Sequence, residues 1–247
     1  MLGGVDALVT RMEGLLEHME SCRDPARFFL GTYLRTTRAV RTALLDGLFE
    51  DREWVGDWIV DFAGRYLGAL EAYGVEPTSA PRPWQRAFGA DPGMRPEGHV
   101  LLGMNAHINF DLPLSLIAMI PPADFTDPGR LALRHRDHER IDGILASRIA
   151  AEDIALALAG GRRTPLDRAL TPLNHRASRL FLRESRRKVW ANTEALHRAR
   201  LRGAGDFAVG RADLEAASAD RVADLLRPGP VLLRLAVHGF GVTLPAT

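Results

Sequence analysis

The chain has 247 residues, 46% of them apolar, enough for one sizeable core. A net charge of +1 supplies no field that would select nucleic acid or an anionic surface, and the single cysteine, Cys22, excludes an intrachain disulfide or a cysteine-built zinc site. Of the 32 basic residues only Lys188 is a lysine, and neither a Schiff-base nor a phosphate-loop context surrounds it.

Met1 to Arg11 shows no basic leader followed by an apolar run, so no secretory signal is expected and the chain reads as cytoplasmic. Over Val5–Ser21, Leu8, Met12, Leu15, Leu16 and Met19 recur at three- and four-residue spacing and predict a helix. Asp24-Pro25 then gives a cap and a first-turn proline for a second helix, running to about Glu50 with Phe28, Phe29, Tyr33, Val40, Leu44, Leu45 and Leu48 inward. A third starts at Asp51 and carries Trp54, Trp58, Ile59, Phe62, Tyr66, Leu67 and Leu70 to about Gly74. The proline-rich stretch from Val75 to Pro96 predicts a long irregular connection, and Trp84 and Phe88 within it predict that it packs down as a cover.

Gly98 to Ile120 is apolar on every side of a helical wheel, the pattern of a helix buried all round. It nevertheless carries Asn105, His107, Asn109 and Asp111, groups that cost free energy to bury without partners. His107 and Asp111 lie four apart on one face, Asn105 and Asn109 on the next. Pro113 predicts a kink within a turn of Asp111. A loop over Pro121–Gly129 and a helix over Arg130–Ala159, stopped by Gly160-Gly161, come next. Thr164–Asn174 reads as a loop or short turn, Ser178–Arg200 and Ala212–Leu226 as helices, and Val231–Val237 as either a short helix or a strand. The expected fold is all-α: one domain over residues 1–247, a bundle of about six to eight helices around a buried, proline-kinked central helix.

Phe28–Thr37, Gly47–Asp51, Asp61-Phe62 with Arg65-Tyr66-Leu67, Trp84, and above all Gly103-Met-Asn-Ala-His-Ile-Asn-Phe-Asp-Leu-Pro113 together resemble the domain-of-unknown-function family numbered 5995. That resemblance implies a helical fold and directs attention to Asn105–Asp111; it implies no activity. The order His107-x-x-x-Asp111-x-Pro113-Leu114 is also similar to a zinc-binding helix of the zinc-dependent phospholipase C and single-strand nuclease superfamily. The remaining ligand motifs of that superfamily are not evident here.

Three readings of His107 and Asp111 follow. His107 can act as a general acid/base oriented by Asp111, with Asn105 and Asn109 holding substrate; this points to a hydrolase or lyase working on a small molecule without an organic cofactor. Both can instead ligate a divalent metal, His135 or His138 completing the set. Or they form a buried polar network that locks helices together. Further metal-ligand candidates are His99, Asp124, Asp127, Glu139 and Asp142, although Arg134–Arg140 reads first as a solvated charged face. Asp61, Arg65, Tyr66 and Trp84 are candidate substrate contacts, Arg65 as a clamp for a carboxylate or phosphate. The basic stretch Asn174–Gly203, with Phe181 and Trp190, reads as a solvated face, so no nucleic-acid or membrane partner is expected; a small-molecule ligand and self-association are. No phosphate loop, dinucleotide fingerprint, Gly-x-Ser-x-Gly elbow or Cys-x-x-Cys pair is present.

Overall fold

The computed structural model describes residues 2–160, 165–229, 234–235, 237 and 239–245, with the side chains of residues 2, 142, 146 and 148–182 outside the description. Among the described residues there is no strand. The helices are α1 (Leu2–Cys22), α2 (Arg27–Leu45), α3 (Arg52–Val75), α4 (Arg82–Phe88), α5 (Pro96–Ala106), α6 (Leu112–Met119), α7 (Pro128–Gly160), α8 (Pro165–Arg202) and α9 (Ala204–Leu226). A π turn over His107–Asp111 joins α5 to α6, so that Pro96–Met119 runs as one continuous helix. That helix is apolar and long enough to cross a membrane, but 89% of its apolar window is buried inside the protein. It packs on α2, α3, α4, α7, α8 and α9, which makes it the axis of the bundle.

Local chemistry sets the helix ends. Asp24 Oδ1 accepts from the Ala26 N–H (2.8 Å) ahead of α2, and Asp51 caps α3 by accepting from the Trp54 N–H (3.0 Å). α2 stops earlier than its periodicity predicts: Gly47 takes φ +73°, and Leu45 and Leu48 stay about half exposed instead of turning inward. The expected loop at Thr164–Asn174 is overturned, since α8 begins at Pro165; proline is at home in a first helical turn, so it starts this helix instead of breaking it. Thr164, Gly161, most of Val231–Val237, and the side chains of Ile149, Phe181 and Asp142 lie outside the described residues.

The Val75–Pro96 connection is likewise more regular than its prolines suggest. A 3₁₀ turn (Pro77–Ser79) and α4 place Pro77 and Pro83 in first turns. α4 lays Trp84 wholly inside the core, against Phe29, Tyr66 and Phe88. The charged run Arg134–Arg140 is solvated on one side only, with Arg136 and Glu139 exposed. Arg134 and Asp137 are buried, Arg134 bonding Asp124 (2.9 Å) and Asp51 (2.5 Å). Asp137 accepts the Glu50 and Asp51 N–H groups (2.9 and 2.8 Å) together with Arg140. These carboxylates and guanidinia pair among themselves, which is how charge survives burial.

Candidate functional site

The central helix brings its polar residues together through the π turn. Pro113 has no N–H to give the carbonyl of Asn109, and its ring crowds that carbonyl. The helix widens into a π turn over His107–Asp111, and the Leu112 N–H reaches back five residues to the His107 carbonyl. Across this turn His107 Nδ1 and Asp111 Oδ2 stand 2.8 Å apart. Trp84 Nε1–H donates to the same Oδ2 at 2.8 Å. A carboxylate only accepts, so the His107 proton sits on Nδ1 and Nε2 presents a lone pair.

That Nε2 is buried and has no hydrogen-bond partner, and the same holds for the Tyr33 and Tyr66 hydroxyls. The Tyr33 and Tyr66 rings stand edge-on to the imidazole at 4.6 and 6.1 Å. Phe62 stacks on it at 3.7 Å, nearly parallel. Phe29 and Trp84 complete the surround. Burial pushes the His107 pKa down and the nearby Arg65 adds to this, with the hydrogen bond and charge of Asp111 opposing. The imidazole is therefore neutral at pH 7. Burial, and then the Asp111 charge, push the Tyr33 hydroxyl well up; burial does the same to Tyr66. Of the rings around the imidazole, Phe62 and Tyr33 are each 9% exposed.

The other expected site residues sort by contact. Tyr66 and Trp84 belong to the cluster of rings around His107. Asp61 and Arg65 form a half-exposed pair one helical step away (2.9 Å), with the Ser115 hydroxyl on Asp61 Oδ2 at 2.6 Å. Asn105 and Asn109 face elsewhere: both amide groups donate to the Phe240 carbonyl (3.2 and 3.0 Å). Two concavities, of about 600 and 390 Å³, lie away from His107, one beside Leu48, Arg136 and Ile144 and one between α8 and α9.

Among the described residues no three His, Cys, Asp or Glu side chains converge as a metal site. Asp124 is committed to Arg134, and Asp127 accepts from the Gly129 and Arg130 N–H groups at the start of α7. His135 and Glu139 are 3.8 Å apart on the surface. His99 is buried and stacks on Phe28. His138 is buried between Trp58 and Trp190 with neither ring nitrogen bonded, and burial holds it neutral.

Tyr33 and Phe62 were legible in the sequence only as core residues; their place around His107 is a tertiary fact. Asn192 also escaped notice, although a signal existed. It falls three residues after Val189 and four before Leu196, a polar residue on the apolar stripe of α8. Asn192 is buried and bonds to the backbone of Val242 and Leu244.

No curated protein matches the chain, and no solved structure does. A family model, described as "Family of unknown function (DUF5995)", matches residues 5–228, and the chain belongs to that family.

Proposed function

We propose that this protein binds a small polar molecule at His107 and acts on it by acid/base chemistry, as a hydrolase or lyase without an organic cofactor. One observation carries the reading: a buried imidazole whose Nδ1 is fixed by Asp111 keeps an unpartnered Nε2, and the two tyrosines whose rings stand edge-on to it keep unpartnered buried hydroxyls. Buried polar groups are normally satisfied, so three together form a preorganised set waiting for a partner. Nε2 takes the proton, Asp111 holds the tautomer and stabilises the imidazolium that forms, and the Tyr33 and Tyr66 hydroxyls donate to the substrate oxygen that gains charge. Entry requires the Phe62 ring to swing off the imidazole, which puts a gate one residue from the Asp61–Arg65 pair.

The test is a turnover screen with chromogenic carboxylic, phosphoric and glycosidic esters, run on the wild type and His107→Gln beside diethyl pyrocarbonate labelling. Expected are labelling of His107 Nε2, accelerated in Phe62→Ala, and an activity that falls about 10²-fold or more in His107→Gln while cooperative unfolding is kept. If His107 stays unlabelled in both proteins, or His107→Gln unfolds, the pair is a helix-locking network and the enzymatic reading fails.

A further inference from the structure

Residues 239–245 form no helix, yet side chains from distant helices meet their main chain at almost every step. Asn109 Nδ2 donates to the Phe240 carbonyl (3.0 Å), while its Oδ1 accepts the Val242 N–H (3.3 Å). Asn192 repeats the pattern two residues on, donating to the Val242 carbonyl (3.0 Å) and accepting the Leu244 N–H (2.9 Å). Each asparagine thus reads the C=O of one residue and the N–H of the second residue after it, the pairing an adjacent strand would give. Asn105 adds a second donor to Phe240 O (3.2 Å), Glu184 accepts the Phe240 N–H (3.0 Å), and Lys188 donates to Gly241 O (3.2 Å).

The segment's side chains alternate as in a strand. Phe240 enters the main core and Val242 a second cluster with Phe110, Leu114 and Leu196, while Thr243 faces solvent. The glycines are sterically set. A Cβ on Gly241 would lie 2.8 Å from the Ser185 Cα, and Gly239 holds φ +73°. Past Leu244 and Pro245 the furrow opens into the 390 Å³ cavity between α8 and α9.

We propose that the furrow between the π turn and α8 is a peptide-recognition site for an extended segment of pattern Gly-Phe-Gly-Val-x-Leu, filled here by the chain's own residues 239–245. Main-chain bonds supply the affinity, and the two apolar pockets with the two glycine positions supply the selectivity. Tethering keeps the site filled in cis at a high effective concentration, so a free peptide enters once the resident segment is weakened.

Full-length Gly241→Val carries the clash in the ligand and leaves the furrow intact. A fluorescent Gly-Phe-Gly-Val-Thr-Leu-Pro peptide is expected to bind this variant saturably by anisotropy. Binding should be at least about tenfold weaker to the wild type, whose own segment competes, and for a peptide whose second glycine is valine. A folded Gly241→Val that binds no peptide up to about 1 mM overturns the proposal. The wild type with a protease site inserted after the exposed Gly229 covers the case in which Gly241→Val does not fold. Native mass spectrometry should then show the cleaved C-terminal fragment bound and exchanging with a labelled copy of itself. A fragment that never exchanges, or one that leaves without the copy taking its place, also overturns it.

Discussion

Asp111 Oδ2 accepts two N–H groups at 2.8 Å, from His107 and from Trp84, and all three residues are buried. Removing either donor changes what the other contributes, because the oxygen is shared. Trp84→Phe keeps most of the ring and deletes one charge-assisted bond, so a loss of about 1.5–3 kcal/mol is expected in urea unfolding. Asp111→Asn can keep both bonds by turning its amide oxygen to the Oδ2 position but loses their charge assistance, so a loss of about 1–3 kcal/mol is expected. The double variant should fall short of the sum by about 0.5–3 kcal/mol. Additive losses would show that indole and imidazole do not communicate through the carboxylate.

Elements meet at close range in two places that local sequence does not announce. Gly103 lets α5 approach α2 so closely that a Cβ would stand 2.4 Å from Phe29 Cγ. Phe29 in turn touches Tyr33, Tyr66, Trp84 and His107. Gly103→Ala is therefore expected to cost about 1–3 kcal/mol despite its favourable helix propensity, and to shift the His107 ring resonances in NMR. An alanine that stabilised the protein would mean the helices part freely. The second place is the entry to α3, where Asp137 of α7 accepts two consecutive N–H groups, from Glu50 and Asp51. Asp137→Ala leaves both without that acceptor and breaks the link to Arg140; a loss of about 3–5 kcal/mol is expected. Asp137→Asn should recover only part of it, because an amide offers one accepting oxygen where the carboxylate offers two. Both are read from chemical denaturation.

The whole molecule couples folding to pH through histidines kept neutral by burial. The His107 and His138 pKa values lie below the ordinary imidazole value, each chiefly through burial, with Arg186 and His135 adding to the effect at His138. In the unfolded chain both bind protons near pH 6.5, and in the folded chain they do not until lower pH. Stability is therefore full above about pH 6.5 and falls as pH drops below it, by up to about 1.4 kcal/mol per unit for each histidine until its folded value is reached. Urea midpoints at pH 7.5, 6.0 and 5.0 should decline accordingly, and His138→Phe should flatten the decline. A midpoint unchanged from pH 7.5 to 5.0 would mean that these rings take up protons as readily in the native state as in the unfolded chain.

The sequence by itself determined the all-helical class and the buried central helix, because a run apolar on every face can satisfy its backbone only internally and must be covered by neighbours. It also marked Asn105, His107, Asn109 and Asp111, since polar groups in such a run stand out against their cost. Spacing could not reveal which partner each would find. Asp111 bonds Trp84 from a stretch whose prolines resembled an irregular loop, and Asn109 bonds a segment more than 130 residues away. Arg134, Asp137 and His138 read as solvent-facing because periodicity records polarity and not pairing, and only the packed bundle supplied their partners or their burial. Local propensity is written in neighbouring residues; satisfaction of a buried polar atom depends on which distant atom the fold places within about 3 Å of it, and that is decided by tertiary structure alone.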